Sequence, residues 1–117
     1  MMDKIKTLPS SYREKKRYII FKIISDEPVS FEELVKAVWR SSINLLGILG
    51  VAKTNLRVFP ELYDAKKKIF VVRCLPKDVE LIRLSVALIT EINKKSVCIY
   101  SLGVAGTLKS VKTKYYL

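Results

Sequence analysis

The chain has 117 residues, of which 22 are Lys or Arg and 11 are Asp or Glu, so its formal net charge is +11. The length predicts a single domain, and a hydrophobic fraction of 50% indicates a packed core and excludes a disordered chain. This excess of cations favours a polyanionic partner, either a nucleic acid or an anionic membrane surface. A basic protein that is merely soluble is the alternative.

The chain contains no histidine and only two cysteines, Cys74 and Cys98, which are too far apart to form a zinc-ligand pattern. Each lies in an apolar, strand-like run, which predicts buried free thiols. Residues 1–11 show no signal-peptide pattern, and no uncharged apolar stretch, Leu84 to Thr90 included, is long enough to cross a bilayer. We therefore expect a cytoplasmic protein in a reducing compartment, with no membrane among its partners.

The first half of the chain predicts an arm, a strand and a helix. Residues 1–14 form the extended arm, and the apolar run Tyr18–Ile24 is typical of a buried strand. Ser30 and Glu33 match the capping box that begins a helix. Apolar residues at three- and four-residue spacing continue this helix to Gly47, where we expect it to end. The small, apolar segment from Gly47 to Asn55 fits either one more helical turn or an ordered loop.

The second half predicts two strands, a helix and a last strand, namely Leu56–Tyr63, Ile69–Leu75, about Lys77–Asn93 and about Ser96–Leu102. Pro60 cannot donate to a ladder, so the first of these should be an edge strand. We expect Gly103–Thr107 to break the last strand. The predicted domain covers residues 15–107, and residues 108–117 form a basic tail.

The order β-α-β-β-α-β predicts an α+β fold of the ferredoxin-like type, which RNA-recognition motifs also adopt. It has a four-stranded antiparallel sheet with the helices on one face. Its two central strands are the first and third, and these are the most continuously apolar strands of the chain.

Residues for covalent catalysis are not evident. Without histidine, a catalytic site would need carboxylates, but Asp26, Glu27, Glu32 and Glu33 lie at a turn and a helix start, where capping is their expected role. The motif Gly103-x-x-Gly106-Thr107 lacks the Gly-Lys-Ser/Thr ending of a P-loop. It fits either a plain loop or a turn whose backbone N–H groups contact phosphate.

The aromatic residues do not match the base-stacking platform of an RNA-recognition motif. Tyr18 and Phe21 should lie on opposite faces of the first strand, and Phe70 is the only aromatic residue in the third. We expect Phe21 and Phe70 in the core, and we expect Lys and Arg to contact backbone phosphates.

Four basic clusters are candidates for those contacts: Arg13, Lys15, Lys16 and Arg17; Lys53 and Arg57; Lys66, Lys67 and Lys68; and Lys109, Lys112 and Lys114. The lysine run at 66–68 also fits a solvated turn. The start of the first strand and the end of the fourth need not be close in this fold, so a single continuous patch is not predicted.

Three motifs resemble the archaeal ribonuclease P protein component 2 family, also called the Pop-five family. They are Leu8-Pro9…Arg13-x-Lys15-Lys16-Arg17-Tyr18-Ile19, then Ser42-x-x-Leu45-x-Gly47-x-x-Gly50-x-Ala52-x-x-x-Leu56, and then Gly103-x-Ala105-Gly106-Thr107-Leu108-Lys109 followed by Lys112. They occur in the family's order and cover nearly the whole chain.

The resemblance implies an RNA-binding, non-catalytic subunit of ribonuclease P, whose RNA removes the 5′ leader of precursor tRNA with RNA-bound Mg²⁺. The implied partners are that RNA, a TIM-barrel-like component 3, the other ribonuclease P proteins and precursor tRNA as the substrate of the complex. By the same resemblance, Arg13, Lys15, Lys16, Arg17 and Lys109 face RNA. Protein contacts are expected from the segment that begins with Gly47, Ile48, Leu49, Gly50 and Val51. The alternative is a ferredoxin-like regulatory module that oligomerises through its sheet.

Overall fold

The computed structural model describes residues 15–116, so the predicted arm and its Arg13 lie outside the described part of the chain. The elements are β1 (Arg17–Ser25), α1 (Phe31–Ala52), β2 (Arg57–Val58), β3 (Ile69–Cys74), α2 (Val79–Ala87), β4 (Glu91–Ile92), β5 (Lys95–Ala105) and α3 (Leu108–Tyr115). Short 3₁₀ turns at Pro60–Leu62 and Pro76–Asp78 follow β2 and β3.

The strands form one antiparallel sheet in the order β2-β3-β1-β5-β4. Strands β1 and β3 are internal, β2 is an edge strand, and α1 and α2 cover one face, so the ferredoxin-like prediction is confirmed. The predicted four-stranded sheet was wrong in strand number, because the two-residue strand β4 pairs with β5 and adds a fifth strand at the other edge. The edge strand is shorter than expected, because Pro60 begins a 3₁₀ turn directly after β2.

The second helix ends at Ala87, so the prediction that it continues to Asn93 was wrong. Ile89 and Ile92 fit the helical spacing, but they are buried from an extended connection and from β4. Asn93 and Lys94 then form a two-residue hairpin turn with φ values of 50° and 66°. Both residues of a type I′ turn need such left-handed values, and asparagine adopts them more readily than most residues.

Helix α1 begins at the predicted capping box. The backbone N–H of Glu33 donates to Ser30 Oγ at 3.2 Å, and the backbone N–H of Ser30 donates to Glu33 Oε1 at 3.0 Å. Gly47 has φ 79° and non-helical backbone, so the first helical stretch is interrupted there as predicted, and a second stretch continues across the kink to Ala52. The additional helical turn, one of the two predicted alternatives, is therefore confirmed. The helix has the length and apolarity of a membrane span, but its buried residues belong to the protein core.

The sheet has an apolar core on each face. On the α1 and α2 face, Phe21 and Phe70 are buried and stack with ring centroids 5.2 Å apart, as the predicted core placement requires. On the other face, Val111 of α3 is fully buried against a cluster that includes Ile20 and Val71. Residues 108–115, which were predicted to belong to a basic tail, therefore form helix α3. This helix packs on the sheet face that was expected to carry no helix.

Strand β5 continues through Gly103 to Ala105, so the break predicted at Gly103 was wrong. A register shift opposite Ile20 and Phe21 lets this long strand follow the twist of β1. The hydroxyl of Tyr115 lies over Gly103, where a Cβ atom would clash with it. Cys74 is buried as expected, but Cys98 is exposed on β5 and corrects the prediction that both thiols are buried.

Candidate nucleic-acid interface

Members of three of the four predicted basic clusters meet at one end of the sheet, because antiparallel pairing joins the start of β1 to the ends of β3 and β5. Tyr18 lies opposite both Arg73 and Ala105. The proximity that the sequence left open is therefore present in the structure. We call this region the basic end and define it by Lys15, Lys16, Arg17, Lys53, Arg57, Arg73, Lys77 and Lys109.

The connection after α1 brings Lys53 and Arg57 to the same end. The backbone N–H of Leu75, just beyond β3, donates to the carbonyl of Thr54 at 3.0 Å. Lys53 caps α1 beside that contact and is exposed. Arg57 lies directly opposite Arg73 in the β2–β3 pair. Because Arg73 also lies opposite Tyr18, the Lys53 and Arg57 cluster is a neighbour of the cluster at the start of β1, about forty residues earlier in the sequence.

The other members of the basic end begin or follow strands. Lys15 is exposed, and the partly buried Arg17 donates from Nη1 to the carbonyl of Lys16 at 3.1 Å. Lys109 is exposed in the first turn of α3, two residues after the N-cap Thr107, whose Oγ1 accepts from the Ser110 N–H at 3.1 Å. The N-cap fixes where α3 begins and so where Lys109 emerges.

Lys112 and Lys114 are exposed further along α3, which crosses the sheet away from the basic end. The far end of α3 is fixed where the hydroxyl of Tyr116 donates to the carbonyl of Leu62. Burial raises the pKa of Tyr116 to about 12, so this donor stays protonated at neutral pH. Because α3 is held on the sheet, its exposed Lys112 and Lys114 extend the basic surface along the helix.

Acidic residues compensate only part of this charge. Glu61 lies 3.8 Å from Arg57, with both side chains at least half exposed, and Glu80 pairs with Arg83 at 3.1 Å. Exposed pairs of this kind contribute little free energy and are screened by salt. The basic end therefore retains a net positive charge that a polyanion can neutralise.

Arg73 and Lys77 belong to the basic end but were not predicted as site residues. Arg73 was hidden in the run Ile69–Leu75, whose apolar character indicated a buried strand. The alternation of side chains along a strand could have identified Arg73, because it places Arg73 on the same sheet face as Val71, two residues before it. Lys77 was assigned to the start of a helix and lies in a 3₁₀ turn.

The cluster Lys66, Lys67 and Lys68 lies at the opposite end of the sheet. The Nζ of Lys68 donates to the carbonyl of Ser25 at 2.7 Å, and Asp64 Oδ1 accepts the backbone N–H groups of Lys66 and Lys67 at 3.0 Å. This cluster is therefore separate from the basic end. We call its surroundings, together with the β4–β5 turn and the start of α1, the hairpin end.

At the hairpin end, Glu33 joins three elements. Its carboxylate accepts from the Ser30 backbone, from Asn93 Nδ2 at 2.5 Å and from Lys95 Nζ at 3.1 Å. These hydrogen bonds, the Ser30 bond first among them, lower the pKa of Glu33 to about 2. Lys95 Nζ also donates to the carbonyl of Pro28 at 2.8 Å, so this cation is satisfied within the fold.

The predicted partner segment is partly exposed. Ile48 and Leu49 follow the kink at Gly47 and are 72% and 77% exposed, which is unusual for aliphatic side chains. Gly50 faces Leu46 closely, and Val51 is 2% exposed within the core, so the Val51 side chain does not reach the surface and that part of the prediction needs correction. Leu81, Leu84 and Leu88 add an exposed apolar stripe on α2.

Residues 15–116 contain no group of three or more histidine, cysteine or carboxylate side chains that could hold a metal ion. Burial raises the pKa of the Cys74 thiol to about 12, which keeps it protonated and unreactive at neutral pH. The described side chains are arranged to contact anions and apolar surfaces.

Comparison with known proteins places this arrangement in a family. Residues 17–116 match the Rpp14/Pop5 family. The chain is 40% identical to ribonuclease P protein component 2 of Pyrococcus horikoshii over 98% of its length and 94% of the relative's, and 36% identical to that of Methanocaldococcus jannaschii over 98% and 83%. Among solved structures, a chain of the yeast ribonuclease MRP cryo-EM structure matches with a TM-score of 0.63 at 12% identity, covering 81% of this chain and 76% of that one.

The structural match at 12% identity supports the fold alone. The archaeal relatives match over nearly the full length of both chains, and the family match covers all the described elements from β1 to α3. This chain belongs to the Rpp14/Pop5 family.

Proposed function

We propose that this chain is a non-catalytic protein subunit of ribonuclease P that binds the catalytic RNA through its basic end. The observation that carries the proposal is the convergence of separate Lys and Arg clusters at one end of the sheet, in a chain 40% identical to archaeal component 2 proteins. The RNA removes the 5′ leader of precursor tRNA, and Mg²⁺ on the RNA supplies the metal chemistry.

The protein acts by reducing repulsion between phosphates where RNA helices approach one another. A rigid sheet end holds several cations at fixed spacing, so binding does not have to order a flexible chain. Each neutralised phosphate releases a condensed counterion, which makes the affinity fall as salt is raised. Contacts of this kind recognise the shape of a folded RNA more than its sequence.

The exposed apolar side chains supply the second function, which is assembly with other proteins of the complex. Ile48 and Leu49 at the end of α1 offer a surface suited to a protein partner, and the TIM-barrel-like component 3 is the partner we propose for it. The RNA and the protein partner would then occupy different surfaces. We place the assembled particle in the cytoplasm.

An omission assay tests this function. Precursor tRNA cleavage is measured with the cognate ribonuclease P RNA and its other proteins, with and without this chain, at limiting Mg²⁺. We expect a clear loss of cleavage on omission, and restoration when the chain is added back. Unchanged cleavage without the chain, with all other components active, would overturn the proposal and favour a ferredoxin-like interaction module.

A further inference from the structure

The geometry points to one phosphate-binding site formed jointly by Arg57 and Arg73, with Arg73 as the principal contact. The inference deepens the proposed function, on which it rests for the source of the phosphate, a ribonuclease P RNA backbone. It adds a residue that lies outside the basic clusters evident in the sequence. The two arginines share a single phosphate.

Arg57 and Arg73 are placed side by side by strand pairing. Arg57 and Arg73 are directly opposite each other in the antiparallel β2–β3 pair, and Tyr18 lies opposite Arg73 on its other side. Side chains at opposite positions lie on the same face with their Cβ atoms only about 5 Å apart. The two guanidinium groups therefore emerge from neighbouring strands on one face, and an anion bound between them would offset their mutual repulsion.

The charge of Arg73 is not compensated by an acidic side chain in the described part of the chain. Within residues 15–116, the ion pairs are Arg57 with Glu61, Arg83 with Glu80, and Lys95 with Glu33, and Arg73 takes part in none of them. Its Nη2 reaches the carbonyl of Asn55 at 3.5 Å, the outer limit for a hydrogen bond. Its buried Nε has no hydrogen-bond partner in the described part of the chain.

A buried guanidinium N–H without an acceptor is costly, so Arg73 is poorly compensated by the groups of the fold itself. The five N–H groups of arginine form a planar fork that matches two phosphate oxygens at once. The Nε of Arg73 is shielded from solvent, so its Nη groups, of which Nη2 makes only a long contact with Asn55, are the donors that a phosphate would reach.

The ring of Phe59 orients the guanidinium of Arg57. Its Cζ atom lies 4.6 Å from the ring centroid of Phe59, and that buried ring contacts Tyr18 with centroids 5.9 Å apart. An aromatic face under a guanidinium restricts its rotation and leaves its edge free for hydrogen bonds. The loose contact with Glu61 is exposed and can be replaced by a phosphate.

The test compares RNA affinity across a salt series for Arg73→Met, Arg57→Met and the double variant, with Arg83→Met as the matched control. Methionine keeps the apolar stem of arginine and removes the charge. Arg83 is an arginine already paired with Glu80 on α2. The probe is a transcript of the cognate ribonuclease P RNA.

We expect Arg73→Met to weaken binding roughly tenfold and to reduce the slope of log affinity against log salt by about one. The Arg57 variant should have a smaller effect, because Glu61 partly compensates that cation. The double variant should still lose only about one unit of slope in all, because the two arginines neutralise the same phosphate. A loss of two units would contradict a shared site, and Arg73→Met behaving like Arg83→Met would overturn the inference.

Inorganic phosphate provides an arm that does not depend on RNA. Phosphate should raise the melting temperature of the wild type above that in chloride at equal ionic strength, and Arg73→Met should lose most of this increase. An equal increase in both proteins would overturn the site. Failure of the wild type to bind the RNA would instead overturn the proposed function, and the phosphate arm would still decide on the arginine pair.

If Arg73→Met does not fold, Arg73→Lys takes its place in both arms. Lysine retains the charge but not the planar fork. We therefore expect a lower RNA affinity with an unchanged salt slope, and RNA affinity equal to that of the wild type would overturn the site.

Discussion

The two ends of the sheet are both rich in lysine and arginine, but they differ in what those cations contact. At the hairpin end, Lys68 donates to the Ser25 carbonyl and Lys95 contacts both Pro28 and Glu33. At the basic end, Arg57 and Arg73 lie opposite each other; among the described residues Arg57 has only the exposed Glu61 as an acidic partner, and Arg73 forms no ion pair. Similar charges therefore stabilise the fold at one end and remain available to a ligand at the other.

The difference shows why a count of basic residues does not locate a binding surface. A lysine whose ammonium is hydrogen-bonded within the fold must lose those bonds before it can contact a phosphate. A cation held beside another cation gains free energy when an anion arrives. Internal partners, which only the tertiary structure shows, distinguish Lys68 and Lys95 from Arg57 and Arg73. Lys66 and Lys67 are exposed without such partners among the described residues, but they lie apart from the cations that converge at the basic end.

The largest expected effect comes from removing the cluster at the start of β1. We expect the combined Lys15→Ala, Lys16→Ala and Arg17→Ala variant to lose affinity for ribonuclease P RNA on the order of a hundredfold at low salt. The salt slope should fall by about two to three, because up to three phosphate contacts are lost. Affinity is measured by filter binding over a salt series, and thermal melting checks that the domain stays folded. An unchanged salt slope would contradict the assignment of RNA binding to the basic end.

The next effect concerns α3, which positions Lys109 at the basic end. Val111 is fully buried beneath this helix, so Val111→Ala should lower the free energy of unfolding by about 1–3 kcal/mol. Thr113→Ala is the matched control, because Thr113 is exposed on the same helix. Urea unfolding measures both variants. Equal stability of the two would mean that α3 does not pack as described.

A smaller effect is expected at the hairpin end as the pH falls. The pKa of Glu33 is about 2 in the folded protein, below its ordinary value of 4.5, so its contribution to stability is complete above pH 4.5. It should be lost progressively as the pH falls from 4.5 towards 2. Glu33→Gln should be less stable than the wild type at pH 7 and should lose less stability over this range.

Melting curves between pH 2 and pH 7 test this linkage. Glu32→Gln serves as the control, because Glu32 is exposed in the same first turn of α1. If Glu33→Gln and the wild type lost the same stability on acidification, the hydrogen bonds from Ser30, Asn93 and Lys95 would not stabilise the ionised carboxylate.

The smallest effect is expected for the combined Lys66→Ala and Lys67→Ala variant. Both side chains are exposed at the hairpin end, and the hydrogen bonds of their backbone N–H groups to Asp64 do not depend on the side chain. RNA affinity should change by less than about twofold, as for isolated surface charges. A loss comparable to that of the β1 cluster would show that both ends of the sheet bind RNA.

The core of the fold was predictable because local signals agreed with tertiary packing. The capping box at Ser30 and Glu33 fixed the start of α1, and the continuous apolar runs identified β1 and β3 as the central strands. The end of α2 was not predictable in the same way. Ile89 and Ile92 satisfy a helical period equally well when they are buried from an extended segment.

The interface was predictable in composition but not in arrangement. Strand pairing brings Arg57 beside Arg73 and the start of β1 beside the end of β5, and no local pattern encodes those neighbours. Helix α3 was missed because three lysines within eight residues suggest a solvated tail. The buried Val111, the partly buried Leu108 and Tyr115 and the hydrogen bond from Tyr116 to Leu62 hold it on the sheet.

The most direct test is the reactivity of individual lysines towards an amine-specific acylating reagent, read by mass spectrometry with and without ribonuclease P RNA. Lys15, Lys53, Lys66, Lys67 and Lys109 are all exposed in the free protein, so each should react before RNA is added. We predict that RNA strongly protects Lys15, Lys53 and Lys109, and leaves Lys66 and Lys67 reactive. Protection of Lys66 and Lys67 with continued reactivity at the basic end, or no protection of any lysine, would contradict the account.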